Sequence, residues 1–321
     1  MLIQRVAVAA ALAGAVFLSL GCEKPPASSA ATAAQDAGTA PRAVMPTPPP
    51  ERHVLDPVPT PVRGHFQEVN TGEFDLVDGI AYPSRDGETV VYVTSKPIAS
   101  AAIAPSPCPM TYARFMTELR DAGWNEVALD AHGRSSYFGE GTAFGGKGRE
   151  EDVGGRYWKS WLETSNGVAT GSVRHVHDGW FEFALPISKP AFAQVSEGDY
   201  SRGHRADPDA RAPKEPAVAA AYRTARGAAV KKDLAALLQA QGFDAKQVAA
   251  IRALPGIAAD FARFSDRFLK PGAAGEFDSG PGWASISASG TTSKGAKFIN
   301  YYWFTPCGEK LVLTSISENP Q

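Results

Sequence analysis

The 321-residue chain is poor in several features that would narrow its function. Formal net charge is −2, from 32 basic and 34 acidic residues. No global basic field therefore recruits nucleic acid. Beyond Leu20 no apolar run approaches the about 20 residues that a membrane-crossing helix needs, so the body of the chain is expected to be soluble. There is no Gly-x-Ser-x-Gly segment, which removes the nucleophile elbow of one large hydrolase class. Cysteine is scarce, with only Cys22, Cys108 and Cys307.

What is present begins with an address. Arg5 is the only basic residue before an apolar run from Val6 to Leu20, and the run closes on Leu18-Ser19-Leu20-Gly21-Cys22. A charged start, a short apolar middle and a small residue at the boundary mark an export signal. The boundary resembles the lipobox of bacterial lipoproteins. That resemblance implies cleavage after Gly21, diacylation of the Cys22 thiol and acylation of the new amino end. The alternatives are an ordinary secretory peptide or an uncleaved anchor. Two or three acyl chains attach a protein stably, at about 0.8 kcal/mol per buried CH₂. In lipoproteins an Asp after the cysteine tends to cause inner-membrane retention, so with Glu23 the resemblance implies the outer membrane, facing the periplasm.

With Cys22 carrying lipid (a palmitate-type anchor), Cys108 and Cys307 are two thiols in an oxidising compartment, where such pairs form disulfide bonds. The alternative is two separate buried thiols acting as small hydrophobes. Pro107, Pro109 and Pro306 place both in loops and favour a surface bridge. Such a bridge would close a loop of nearly 200 residues and stabilise by about 5 kcal/mol on the chain-entropy account.

Residues 1–21 are thus read as signal peptide and 22–62 as a lipidated tether rich in Pro and Ala. Apolar residues in the tether have no period, so no core forms there to offset ordering entropy. Its prolines stiffen it, and its expected work is spacing the body from the membrane. The remaining residues, roughly 260, suffice for a sizeable core. They read as an α+β fold of antiparallel β-meanders with packed helices in two modules, 63–195 and 217–321, joined by an exposed linker at 196–216.

In the first module, Glu88 to Thr94 is β-branched and aromatic and reads as a strand. Thr111 is an N-cap for a helix whose face carries Tyr112, Phe115, Leu119 and Ala122, with Gly123 as its left-handed terminator. Strands are expected at 125–129, 156–164, 169–177 and 180–185. Asn166-Gly167 is the strongest hairpin signal in the chain and Asp178-Gly179 a second. In the second module a helix is expected over 228–241, with Val230, Leu234, Leu237 and Leu238 on one side. Asp244 and Gln247 form a capping box for a helix that Pro255 stops. Ile257, Phe261, Phe264 and Phe268 make a one-sided helical stripe that is read as core. Strands follow at 283–289, 297–305 and 310–316. Trp283-Ala-Ser-Ile-Ser echoes Trp158-Lys-Ser-Trp-Leu, a weak sign of internal duplication.

Three segments invite a chemical reading. Gly141 to Lys147 matches the start of a phosphate loop. Gly148 then stands where a Mg²⁺-binding hydroxyl belongs, and 139–155 reads better as a mobile, charged loop. His175 and His177 share one face of a strand and could begin a metal site, with His132, His204 or Asp178 as conceivable further ligands that no spacing selects. The solvent face of a hairpin is the simpler account. Glu150, Glu151 and Asp152 could be acid/base carboxylates. Among Lys147, Arg149 and Arg156 they read as exposed ion pairs.

The expectation is a membrane-anchored envelope lipoprotein without catalytic residues or cofactor. It would be a non-enzymatic binding, accessory or protective inhibitor protein with an envelope protein as partner. The alternative is a periplasmic metal-dependent hydrolase using His175 and His177.

Overall fold

The computed structural model describes residues 61–320 except 69–71, 85–86, 133–134, 143–148, 153–157, 176–178, 189–210, 270 and 292–293. Cys22 and the tether to residue 60 lie outside the described residues.

Among them the chain is α+β, as the hydrophobic periods indicate. The first sheet takes β1 (Val62–Glu68), β2 (Gly72–Leu76), β8 (Trp158–Ser165), β9 (Val168–His175) and β10 (Gly179–Pro186), in the order β2-β1-β10-β9-β8. The second takes β3 (Asp78–Pro83), β4 (Thr89–Thr94), β5 (Gly123–Leu129), β6 (Ser135–Thr142) and β7 (Arg149–Asp152), in chain order. The third is a meander of β11 (Pro271–Gly280), β12 (Trp283–Thr291), β13 (Lys297–Cys307) and β14 (Lys310–Pro320). All these strand pairs are antiparallel.

The second sheet is covered on both faces, which is why β4 reads as an unbroken apolar run rather than an alternation. Val90 and Tyr92 turn to one side and Val91 and Val93 to the other. The latter meet Phe66, Phe181, Phe183 and Leu185 of the first sheet in an apolar sandwich that also buries Asn125. The former meet helices α1 (Ser100–Ile103) and α2 (Pro109–Arg120). The same cluster takes in α3 (Glu215–Val230), α4 (Leu234–Gln241), α5 (Ala245–Arg252), α6 (Ile257–Leu269) and the inner face of the third sheet. This larger core therefore draws on both sides of the expected 196–216 linker.

Local chemistry explains most boundaries. Asn166 (φ 52°) and Gly167 (φ 76°) both take positive φ in the β8–β9 turn, as a type I′ hairpin requires. Asp244 accepts from the Gln247 amide at 2.8 Å while Gln247 accepts from the Asp244 amide at 2.9 Å, which completes the capping box. Gly242, at φ 100°, ends α4. Ile257, Phe261, Phe264 and Phe268 are all buried, as the stripe predicts.

Several boundaries differ from expectation. Helix α2 is capped at Cys108 and starts on Pro109, because proline's missing N–H and fixed φ suit the first helical position; Thr111 lies inside the helix. Its left-handed end is Asp121, at φ 51°. Gly123 instead opens β5, where a Cβ would sit 3.1 Å from the Phe74 ring. The helix expected over 228–241 is two helices. Lys232 turns left-handed at φ 53° and Asp233 caps α4 by accepting from the Ala236 amide at 3.0 Å. Val230 consequently lies exposed at the end of α3 and leaves the apolar stripe. The linker also ends sooner than expected, since Glu215 and Pro216 already belong to α3. Much of the supposed loop at 139–155 is sheet, with Glu140 paired to Arg149 and Phe138 to Glu151.

Candidate functional site

Among the described residues, those singled out for chemistry form no cluster that could hold a metal ion. His175 ends β9 opposite Trp158 and Gly179. His177, Asp178 and His204 lie outside the described residues. His132 is exposed in the turn after β5, where its own amide donates to Asp130 Oδ1 at 2.8 Å. Gly141 and Thr142 close β6, and most of the phosphate-loop match beyond them lies outside the described residues. Glu150, Glu151 and Asp152 lie along β7. Among the described residues no group of three His, Cys, Asp or Glu side chains could hold a metal ion.

Cys108 and Cys307 are joined, with Cα atoms 5.9 Å apart across 199 positions of sequence. The bridge ties the start of α2 to the end of β13. Contrary to the expected surface setting, both sulfurs belong to buried residues, packed in the larger core with Tyr112 close by.

Around this staple the core carries charge. Arg267 on α6 donates to Glu118 on α2 and to the Ile316 carbonyl of β14. Burial pushes the Glu118 carboxyl up to about 7 against the pull of that guanidinium. Arg120 stands 3.1 Å from Asp260, which also takes Lys96 at 3.4 Å. Desolvation lowers the pKa of Arg120, with Asp260 opposing it. On the sheet side, Arg114 donates to Glu126 at 2.5 Å and lies 5.6 Å over the Tyr92 ring and 5.5 Å over Trp124. These side chains face one another across packed elements, with partners already assigned. They tie α2 to its neighbours rather than present groups to a substrate.

An open surface lies elsewhere. A groove of about 480 Å³ runs between α3 and strands β11 and β12. Tyr222, Gly227, Val230, Ala274 and Ile286 line it, together with the cationic residues Arg223, Arg226 and Lys231. Positions 219, 222/223, 226/227 and 230/231 recur at helical spacing, so one face of α3 supplies most of the lining. Arg226 is held in place: Nε donates to the Phe268 carbonyl at 3.3 Å and Nη2 to that of Pro271 at 3.5 Å. Arg223 and Lys231 are exposed. Among the described residues lining the groove none is acidic. The face could have been found from the Arg-x-x-Arg-Gly-x-x-Val-Lys spacing of 223–231. The expectation of a helix starting only at 228 left that spacing unread.

No protein-family model, no curated protein and no solved structure matches this chain.

Proposed function

We propose that this chain is a lipid-anchored protein of the bacterial envelope, held at the outer membrane through Cys22, that binds an envelope component without performing chemistry on it. The observation that carries the reading is the joined pair Cys108–Cys307, because stable disulfides belong to oxidising compartments beyond the cytosol. The Leu18–Cys22 segment supplies the matching address, and the tether after it would hold the folded body off the bilayer. The partner expected on this reading is another envelope protein.

Radiolabelled palmitate should enter the wild-type chain and fail to enter Cys22→Ala, which should also leave the membrane fraction. Equal labelling of both would overturn the anchor. Crosslinking in the native envelope should recover a protein partner. Stoichiometric zinc in the purified chain, lost in His177→Ala, would replace the binding role with the hydrolase reading.

A further inference from the structure

We infer that the groove between α3 and the β11–β12 edge is a binding site for a single fatty acid, its carboxylate held by Arg223, Arg226 and Lys231. The inference rests on reading the chain as a binding protein and goes beyond the protein partner proposed above by adding a small-molecule ligand.

Two independent observations support it. The first is charge against shape. Three cationic residues share the lining with apolar ones, and no described lining residue is acidic. An occupant with one anionic end and an apolar body satisfies both. A peptide would leave backbone amides unpartnered against those apolar residues, which costs free energy for each group, whereas an acyl chain carries none. The volume of about 480 Å³ falls toward the low end of the range for small-molecule sites, about 300–1,000 Å³. One chain fits better there than the two of a membrane phospholipid.

The second observation is Gly227. It lies inside α3, where glycine costs about 1 kcal/mol relative to alanine. Its backbone does not take positive φ, and a Cβ built on it would meet nothing within 4 Å. No neighbour demands glycine here. Gly227 lines the groove and the space beside it is open, so the helix forgoes stability at a position where a larger side chain would enter the groove. Val230, 51% exposed one turn further along, extends the apolar track to the helix end.

The test uses the full-length chain reconstituted in phosphatidylcholine vesicles and irradiated with a fatty acid carrying a diazirine near its methyl end. Crosslinked peptides should map to 215–231 and 271–291. Yield should fall about tenfold when the methyl ester replaces the acid, the loss expected for one charged contact. Gly227→Leu, which plugs the groove, should lower the yield at least as much while melting at or above the wild-type temperature. Should that variant not fold, the exposed pair Arg223→Glu/Lys231→Glu carries the same expectation. Ester labelling equal to acid labelling, or yield unchanged in the folded variants, would overturn the inference. Mass spectrometry of the same sample reports acylation at Cys22. A lipidated chain that leaves α3 unlabelled loses only the fatty-acid site, whereas a labelled chain lacking lipid loses only the anchor.

Discussion

The two cores of this protein solve the same burial problem differently. Between the first and second sheets the packing is chiefly apolar, with valines, leucines and phenylalanines placed by strand register and Asn125 buried on the same face as Val127 and Leu129. Between the second sheet, the helices and the third sheet, a disulfide and buried ion pairs join elements far apart in sequence. Sheet ladders align neighbouring strands through regular backbone bonds. No ladder runs between layers, so side chains fix the placement of helices on sheets, whereas the first two sheets are also linked by the Ser188 amide donating to the Ala81 carbonyl at 2.8 Å. The helical core is thus held by a few specific ties, and the sandwich by many interchangeable contacts.

That contrast breaks or sharpens under substitution. The largest effect is expected at Arg267→Met, which leaves Glu118 buried without its guanidinium: about 3–5 kcal/mol lost in denaturant unfolding. Adding Glu118→Leu should recover most of it, and a single variant costing under about 1 kcal/mol would void the contrast. The same pair sets a pH dependence. The Glu118 carboxyl rises from 4.5 to about 7 on folding. Its contribution is therefore full below pH 4.5 and lost as pH climbs to about 7, and Glu118→Gln should flatten that fall.

Next, Cys108→Ala/Cys307→Ala should cost about 2–5 kcal/mol, read as a shift in the denaturant midpoint. In the sandwich, Gly171→Ala should cost about 1–3 kcal/mol, because its Cβ would fall 2.6 Å from Phe183 Cζ and collide with the Trp161 carbonyl. If that cost exceeds the loss at Arg267, the sandwich is the more specific core and the comparison inverts. The smallest change is a gain: Gly227→Ala should stabilise by about 0.5–1 kcal/mol by thermal melting, through helix propensity and a more restricted unfolded chain.

Legibility in the sequence followed the strength of local signals. Thr89–Thr94 alternates between two buried faces and is β-branched, so its strand was plain. The stripe at 257–268 repeats at helical spacing with large aromatics, so its buried face was plain too. Strand β11, Pro-Gly-Ala-Ala-Gly-Glu-Phe-Asp-Ser-Gly, carries almost no β signal, and a sheet edge tolerates such a sequence. Its pairing with β12 creates it. Helix α3 is rich in alanine and has few large apolar residues to mark a face, so its first three turns went unread, and with them the groove.

The sequence by itself determined the α+β alternation of periods, the Asn166-Gly167 turn, the Asp244 cap and the pairing expected of two cysteines. Each follows from chemistry within a few residues or from simple counting. Only the tertiary structure decided that one core spans both halves, that the bridge is buried, and that α3 shares a groove with β11 and β12. Those outcomes depend on which surfaces meet across a hundred or more residues of chain, and no local pattern carries that information.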